Sequence, residues 1–380
     1  MCINPFSLKY VDFLGRDRSI SVGCGKCIEC IKRTQNDWKI RLIEEFKDWD
    51  YCYFFTLTYR DKSLPMVKAH DTGEMLSTGR KSDIQDWIKR FRTNYVRQQA
   101  MIHGTTIRNI TSEAHRLYSC KIKYFFCLEY GPNGTNRPHY HGIIFSNLPK
   151  NQLAPLIVDW RKRFGFVRYS RVRKFNGKNP DNPLSAPANY VSKYCCKGQF
   201  CSRKDDIDNF RISREFRLMS KNIGLSYVSK TKDYHLPKKS LNESTEQYLE
   251  RIFSRLRYND NGFSYSLPRY YKSHIFYTKV REVRSVYSPK DKKFVARQVS
   301  RLAPHTFLCC KMQDYLQRQY DMRFKERYEI IRNSNSSLTD SEICSAIASI
   351  ERDIAHNRAR VLNTKIGGFY YQNKLKNKQL

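Results

Sequence analysis

The run Arg137-Pro138-His139-Tyr140-His141-Gly142 constrains this chain of 380 residues more than any other segment. In an extended strand, side chains two positions apart share a face, so His139 and His141 point one way and Tyr140 the other. The run Lys121 to Tyr130 upstream reads as a strand, Gly131-Pro132-Asn133-Gly134 as a turn, and His139 to Phe145 as the returning strand of a hairpin. Glu129 near the end of the first strand can then approach both imidazoles from the neighbouring ladder position. Glu129, His139 and His141 form a candidate metal site that leaves coordination positions open for phosphate oxygens and water. Two imidazoles would also suit zinc, but a phosphate substrate puts Mg²⁺ or Mn²⁺ first.

A second segment supplies a nucleophile. In Tyr190-Val191-Ser192-Lys193-Tyr194-Cys195-Cys196-Lys197, helical spacing puts Tyr190, Lys193, Tyr194 and Lys197 on one stripe, with Val191 and Cys195 free to face a core. A phenol titrates near pH ~10 and needs nearby positive charge to attack phosphorus at neutral pH. Lys193 and Lys197 are placed to supply it. A phosphotyrosine conserves the energy of the broken diester, so a 3′ hydroxyl can reverse the step. The bland alternative is an aromatic stripe buried in the core, against which the lysines on the same stripe argue.

The composition fits a polyanionic partner. Seventy Lys and Arg against thirty-six Asp and Glu give a net charge of +34, interleaved with 26 Tyr and 22 Phe. Cations draw phosphates, and rings can stack on bases. Arg161 to Lys178 is basic throughout and carries four aromatic residues. Arg137, Arg168, Arg171, Arg173 and Lys174 are the candidate DNA-backbone contacts, with a merely solvated face as the alternative. No apolar run is long enough to span a membrane, and the first residues lack the apolar core of a secretion signal. The adjacent pairs Cys195-Cys196 and Cys309-Cys310 are poorly placed for ordinary disulfides, so a reducing cytoplasm is expected.

Along the chain, Tyr53 to Tyr59 reads as a strand, Ser82-Asp83-Ile84-Gln85 as a capping box, and Ile84, Trp87, Ile88, Phe91 and Tyr95 as the apolar face of a helix. A helix over about 151–164 stops at Gly165 and leads to a strand near 166–172. The order β-α-β-β-α-β predicts an α+β fold with a ferredoxin-like antiparallel sheet, helices on one face and catalytic groups on the open one. Three regions are expected: a Cys-rich segment and helix over 1–50, the endonuclease domain over 51–200, and a mainly helical basic accessory region over 201–380. The last has its strongest helices at 312–332 and 341–366, and ends in a basic tail.

These motifs resemble the HUH endonuclease superfamily, named for its His-hydrophobic-His pair, and in particular the replication initiators of Microviridae of the gokushovirus type. Phe54-Phe55-Thr56-Leu57-Thr58-Tyr59 is similar to the first strand motif, Glu129 with Arg137 to His141 to the metal motif, and Tyr190 to Lys197 to the doubled Tyr-x-x-Lys helix. Family members commonly carry Gly before the Glu; here Leu128 stands there. The resemblance implies a site-specific, metal-dependent single-stranded DNA endonuclease and strand transferase. It would start rolling-circle replication at the phage origin through a 5′-phosphotyrosine and later release a closed circle. The implied partners are single-stranded and origin DNA and a host polymerase and helicase, in the cytoplasm of a bacterial host.

Cys24, Cys27 and Cys30 form a Cys-x-x-Cys-x-x-Cys cluster that Cys2 could complete as a four-thiolate structural zinc site, with buried free thiols as the alternative. Competing functions are another HUH enzyme, a relaxase or transposase, and a zinc-stabilised nucleic-acid-binding regulator without catalysis.

Overall fold

The aromatic and β-branched run Tyr51–Tyr59 forms the strand β1 around which the sheet is built, with burial alternating along most of its length. The computed structural model describes residues 2, 5–11, 17–131, 136–172, 188, 191–192, 203–260, 262–288, 293–304, 306–351, 353–354 and 356–357. The chain divides into two units, one over Thr34–Tyr227 and one that joins Met1–Arg33 to Val228–Leu380.

In the first unit, the helix α1 (Ile28–Lys47), which begins in the other unit, leads into β1. The helix α2 (Lys81–Ile102), the strands β2 (Ile122–Tyr130) and β3 (Pro138–Ser146), the helix α3 (Lys150–Arg163) and the strand β4 (Gly165–Val172) follow. A short strand β5 (Arg217–Met219) adds to the edge. The sheet order is β4-β1-β3-β2-β5, every neighbouring pair antiparallel. The first four strands have the ferredoxin-like order expected of a β-α-β-β-α-β chain, and the fifth extends it.

One face of the sheet meets α2 and α3. Ile84, Trp87, Ile88 and Phe91 pack with Leu153, Leu156, Ile157 and Trp160 against Phe55, Leu57, Phe126, Tyr140 and Ile144. The Trp87 indole N–H donates to the Leu156 carbonyl at 2.8 Å, which satisfies the one polar atom of a fully buried ring. The second face is not bare, contrary to the expectation of helices on one side only. Leu42, Ile43 and Phe46 of α1, together with Ala188, Val191 and Ile223, pack on Cys52, Phe125, Cys127, Ile143, Phe145 and Val172. The spacing of Trp38, Leu42 and Phe46 gives α1 one apolar stripe, and that stripe needed a partner.

Buried Glu45 holds α1 down. Its carboxylate accepts from Trp49 at 2.6 Å, from the Gly224 amide at 2.7 Å and from Lys123, the last as an ion pair at 2.8 Å. These donors offset the desolvation of a carboxylate that is only 1% exposed. Asn222 and Gly224, both at positive φ, make the turn that presents the amide.

The capping box expected at Ser82 does not form. The helix begins at Lys81 and Arg80 occupies the N-cap without a side-chain bond. Asp83 instead accepts a hydrogen bond from the Tyr59 hydroxyl at 2.6 Å, so its carboxylate serves the core rather than the helix end.

The second unit holds a hairpin of Phe6–Val11 with Asp17–Val22 and the helices Thr245–Ser254, Arg269–Phe276 and Thr306–Ser334. Ser244 and Gln247 form a capping box at the first of these. A further helix over 340–357 buries Ile343 and Ile347, and its Glu351 pairs with Arg327 at 2.7 Å. The C-terminal region is helical as expected, but it also carries two hairpins that were not anticipated: Arg257–Asp260 with Phe263–Ser266, and Tyr277–Ser288 with Lys293–Pro304. In Thr278-Lys279-Val280-Arg281-Glu282-Val283 the β-branched residues recur between charges, and the density of charge masks that strand signal. The basic tail over 373–380 lies outside the described residues. Among the described residues, no helix is long and apolar enough to cross a membrane.

Candidate metal centre and nucleic-acid interface

Register across the sheet puts the three expected ligands together. Glu129 pairs with His139 between β2 and β3, and His141, two residues on, pairs with Thr56 of β1 on one side and Cys127 of β2 on the other. All three side chains emerge on the α1 face, since they share parity with Cys127, Ile143 and Phe145. Glu129 Oε2 lies 3.2 Å from His139 Nε2 and 3.3 Å from His141 Nε2. Ligands about 2.1 Å from one ion at right angles sit ~3 Å apart, so this spacing fits a single divalent cation. Glu129 and His141 are buried and His139 is partly exposed, which leaves one side of the triad open.

Leu128, which stands where relatives of the motif carry Gly, does not tilt the glutamate. Its side chain is buried on the opposite face, where a Cβ on Gly79 would collide with it. Strand alternation then turns Glu129 toward the imidazoles.

Both imidazoles are oriented from behind. His139 Nδ1 donates to the Arg137 carbonyl at 3.1 Å, and His141 Nδ1 lies 3.1 Å from the Thr56 hydroxyl. With the proton on Nδ1, each ring presents the Nε2 lone pair to the centre. Phe54 stacks on His141 with ring centroids 6.1 Å apart. Thr56 escaped sequence reasoning as a functional residue, because its role depends on the pairing of β1 with β3, invisible in local pattern.

Arg137 donates to the Tyr59 carbonyl at 2.8 Å and pairs with Asp61, so its guanidinium fastens the end of β1 beside the triad. Arg168 and Arg171 are both exposed on β4 but on opposite faces. Arg168 pairs in register with Thr56 and lies on the metal face; Arg171 stacks over Tyr51, 4.6 Å from the ring centroid, on the other. The expected contacts Arg173 and Lys174, and the expected nucleophile stripe of Tyr190, Lys193, Tyr194 and Lys197, lie outside the described residues. Their described neighbours Ala188, Val191 and Ser192 are helical and buried, and Ala188 and Val191 pack on the sheet face that bears the triad.

Away from this centre, the thiols of Cys2, Cys24, Cys27 and Cys30 all lie within 4.8 Å of one another and could hold a metal ion. The Cys27 amide donates to Cys24 Sγ at 3.3 Å, and the Cys24 amide to Cys2 Sγ at 3.2 Å. Hydrogen bonds from the Cys27 and Lys26 amides draw the Cys24 thiol down to about 6, whereas burial pushes Cys30 up to about 12.

Residues 52–199 match a family model of replication-associated proteins of the ORF2 type. The match places the chain with phage replication-associated proteins. The chain is 28% identical over 236 residues to replication-associated protein ORF2 of Spiroplasma virus 4, covering 61% of this chain and 64% of that protein. It is 25% identical over 264 residues to replication-associated protein ORF4 of Chlamydia phage 1, covering 67% of this chain and 53% of that protein. The chain thus spans less than two thirds of either relative. No solved structure matches. The family match encloses β1, the hairpin that bears the triad and the tyrosine segment, whereas the cysteine cluster lies before it.

Thr56→Val keeps the shape of the side chain and removes the acceptor for His141. It is expected to weaken binding of Mn²⁺ to the triad about 10-fold or more, read by calorimetric titration, with thermal unfolding little changed.

Proposed function

We propose that this chain initiates rolling-circle replication of a phage genome by nicking one strand of its origin with a tyrosine and later rejoining that strand into a circle. The observation that carries the reading is the meeting of Glu129, His139 and His141 at hydrogen-bond spacing on the sheet face that also receives Ala188 and Val191, the helical neighbours of Tyr190 and Tyr194. The match to replication-associated proteins supports it from a separate direction.

The donor set suits Mg²⁺ or Mn²⁺, held by Glu129 Oε2 and the two Nε2 atoms. When bound, the ion supplies positive charge to the phosphate oxygens and the departing 3′ oxygen. The protein residues do the rest. The phenolic oxygen of Tyr190 or Tyr194 attacks phosphorus, a phosphotyrosine bond forms, the bond from phosphorus to the 3′ oxygen breaks, and the 3′ oxygen leaves as a hydroxyl. Lys193 and Lys197 offset charge as it builds on the phosphate. The freed 3′ hydroxyl is the primer a host polymerase would extend while a host helicase opens the duplex. In the closing step a new 3′ hydroxyl attacks the phosphotyrosine and the phenol is released, with no net hydrolysis and no ATP. Arg168, Arg171, Arg173 and Lys174 would follow the DNA backbone, with the endonuclease domain over 51–200 and the work done in the cytoplasm of the bacterial host.

Incubation with single-stranded origin DNA and Mn²⁺, followed by denaturing electrophoresis, tests this reading. A covalent protein-DNA adduct is expected, reduced in Tyr190→Phe and in Tyr194→Phe and absent from the double variant. Each single variant should fail to release closed circles, because a full round uses both hydroxyls in succession. Binding without any adduct in the unmodified chain would favour a non-catalytic regulator, and an adduct that survives in the double variant would exclude the tyrosine mechanism.

A further inference from the structure

We infer that Cys2, Cys24, Cys27 and Cys30 bind one structural Zn²⁺ at the start of α1. Four thiolates around one zinc at ~2.3 Å define a tetrahedron with edges of ~3.8 Å. The Cys27 and Cys2 sulfurs are 3.7 Å apart and all four lie within 4.8 Å, the dimensions of a single ion's coordination sphere. A cluster of several irons would spread the same thiolates farther, since each would bind a different iron. The backbone is shaped to the sulfurs as well. Amide donors reach Cys24 and Cys2, and a Cβ on Gly23 would lie 2.8 Å from Cys30 Sγ, so that position admits no side chain without displacing a sulfur. Gly25, at a φ of 73°, turns the chain between the first two cysteines of the cluster.

Charge favours the same assignment. Cys27 accepts from the Ile31 amide at 2.9 Å and so opens the 20-residue helix α1, whose positive end faces the thiolates. The ion would tie residue 2 to residues 24–30 across a segment too short to bury a core of its own.

Metal analysis of the purified full chain tests the site. About one zinc per chain is expected, retained in His139→Ala/His141→Ala and in Cys344→Ser, and lost in Cys24→Ser/Cys27→Ser. Replacement by Co²⁺ should give the absorption of a tetrahedral tetrathiolate site, a readout that does not depend on catalysis. Folded protein with no metal and four thiols open to a thiol reagent would overturn the proposal; one iron in place of zinc would overturn the identity of the ion.

A separate observation points to the substrate's path, and it rests on the nuclease reading. Phe166 is 64% exposed, a large apolar side chain on the metal face. It shares a cross-sheet row with Thr58, His139 and Glu129, while exposed Arg168 shares the next row with Thr56 and His141. Phe166 lies two strands from His139, about 10 Å. We propose that a base neighbouring the scissile phosphate stacks on Phe166, with Arg168 on the adjoining phosphate.

Fluorescence anisotropy with labelled single-stranded oligothymidylate in EDTA reads binding without cleavage. Phe166→Ala and Phe166→Leu should each weaken binding about 10-fold. Phe166→Trp should restore it, and Arg168→Ala should lower the salt dependence. Affinity unchanged in Phe166→Ala, or Leu equal to Phe, would overturn the stacking role. Tight binding without an adduct in the unmodified chain would instead count against the nuclease reading, so the two failures are distinguishable.

Discussion

The phenol of Tyr140 fixes the strand on which the candidate centre depends. It is fully buried, accepts from the Arg80 amide at 2.9 Å, and sits 2.9 Å from the Arg80 carbonyl and 2.7 Å from the Tyr59 hydroxyl, which donates in turn to Asp83. Burial pushes both phenols above their ordinary range, so they stay neutral and act only as hydrogen-bonding groups. A slip of one residue in β3 would bring Tyr140 to the metal face and carry both histidines into the aromatic core beside Trp87 and Trp160. The cost of burying two imidazoles there and stranding the phenol sets the register. From the register follow the pairing of Glu129 with His139 and of Thr56 with His141.

What the sequence revealed was largely what is encoded locally. His139 and His141 alternate around an apolar-bodied residue, Trp87 and Ile88 recur at helical spacing, and Gly165 ends one helix before the next strand. Each signal lies within a few residues, where geometry and residue type suffice. The grouping of Cys2 with Cys24, Cys27 and Cys30 was also anticipated, because the dense spacing of three thiols asks for a fourth. The contribution of Thr56 could not be read, since its partner His141 lies 85 residues away and becomes adjacent only when β1 pairs with β3. The same holds for Glu45, whose donors Lys123 and Gly224 are 78 and 179 residues distant. Phe166 looked like one of several core aromatics in a basic run; only the sheet decides that it faces outward while Val167 faces in.

The two faces of the sheet carry different loads. The face toward α2 and α3 is packed with large aromatic side chains and gives the sheet its rigidity. The face toward α1 is apolar at one end, around Phe145 and Val172, and polar at the other, where Glu129, His139 and His141 converge. That gradient along one set of strands lets a buried carboxylate and a buried imidazole stand next to a partly exposed one without opening the core. It also places the basic, solvent-facing side of β4 alongside the triad, where a polyanion would be held by charge and positioned by the sheet.

The central claim is that Glu129, His139 and His141 form one divalent-cation site. Pulsed electron paramagnetic resonance on the full chain loaded with Mn²⁺ tests it most directly, because nitrogen couplings report imidazoles bound to the ion. Couplings from two imidazoles are predicted, reduced to one in His139→Ala or His141→Ala and absent from the double variant. Bound Mn²⁺ with no nitrogen coupling, or with couplings unaffected by either substitution, would contradict the account.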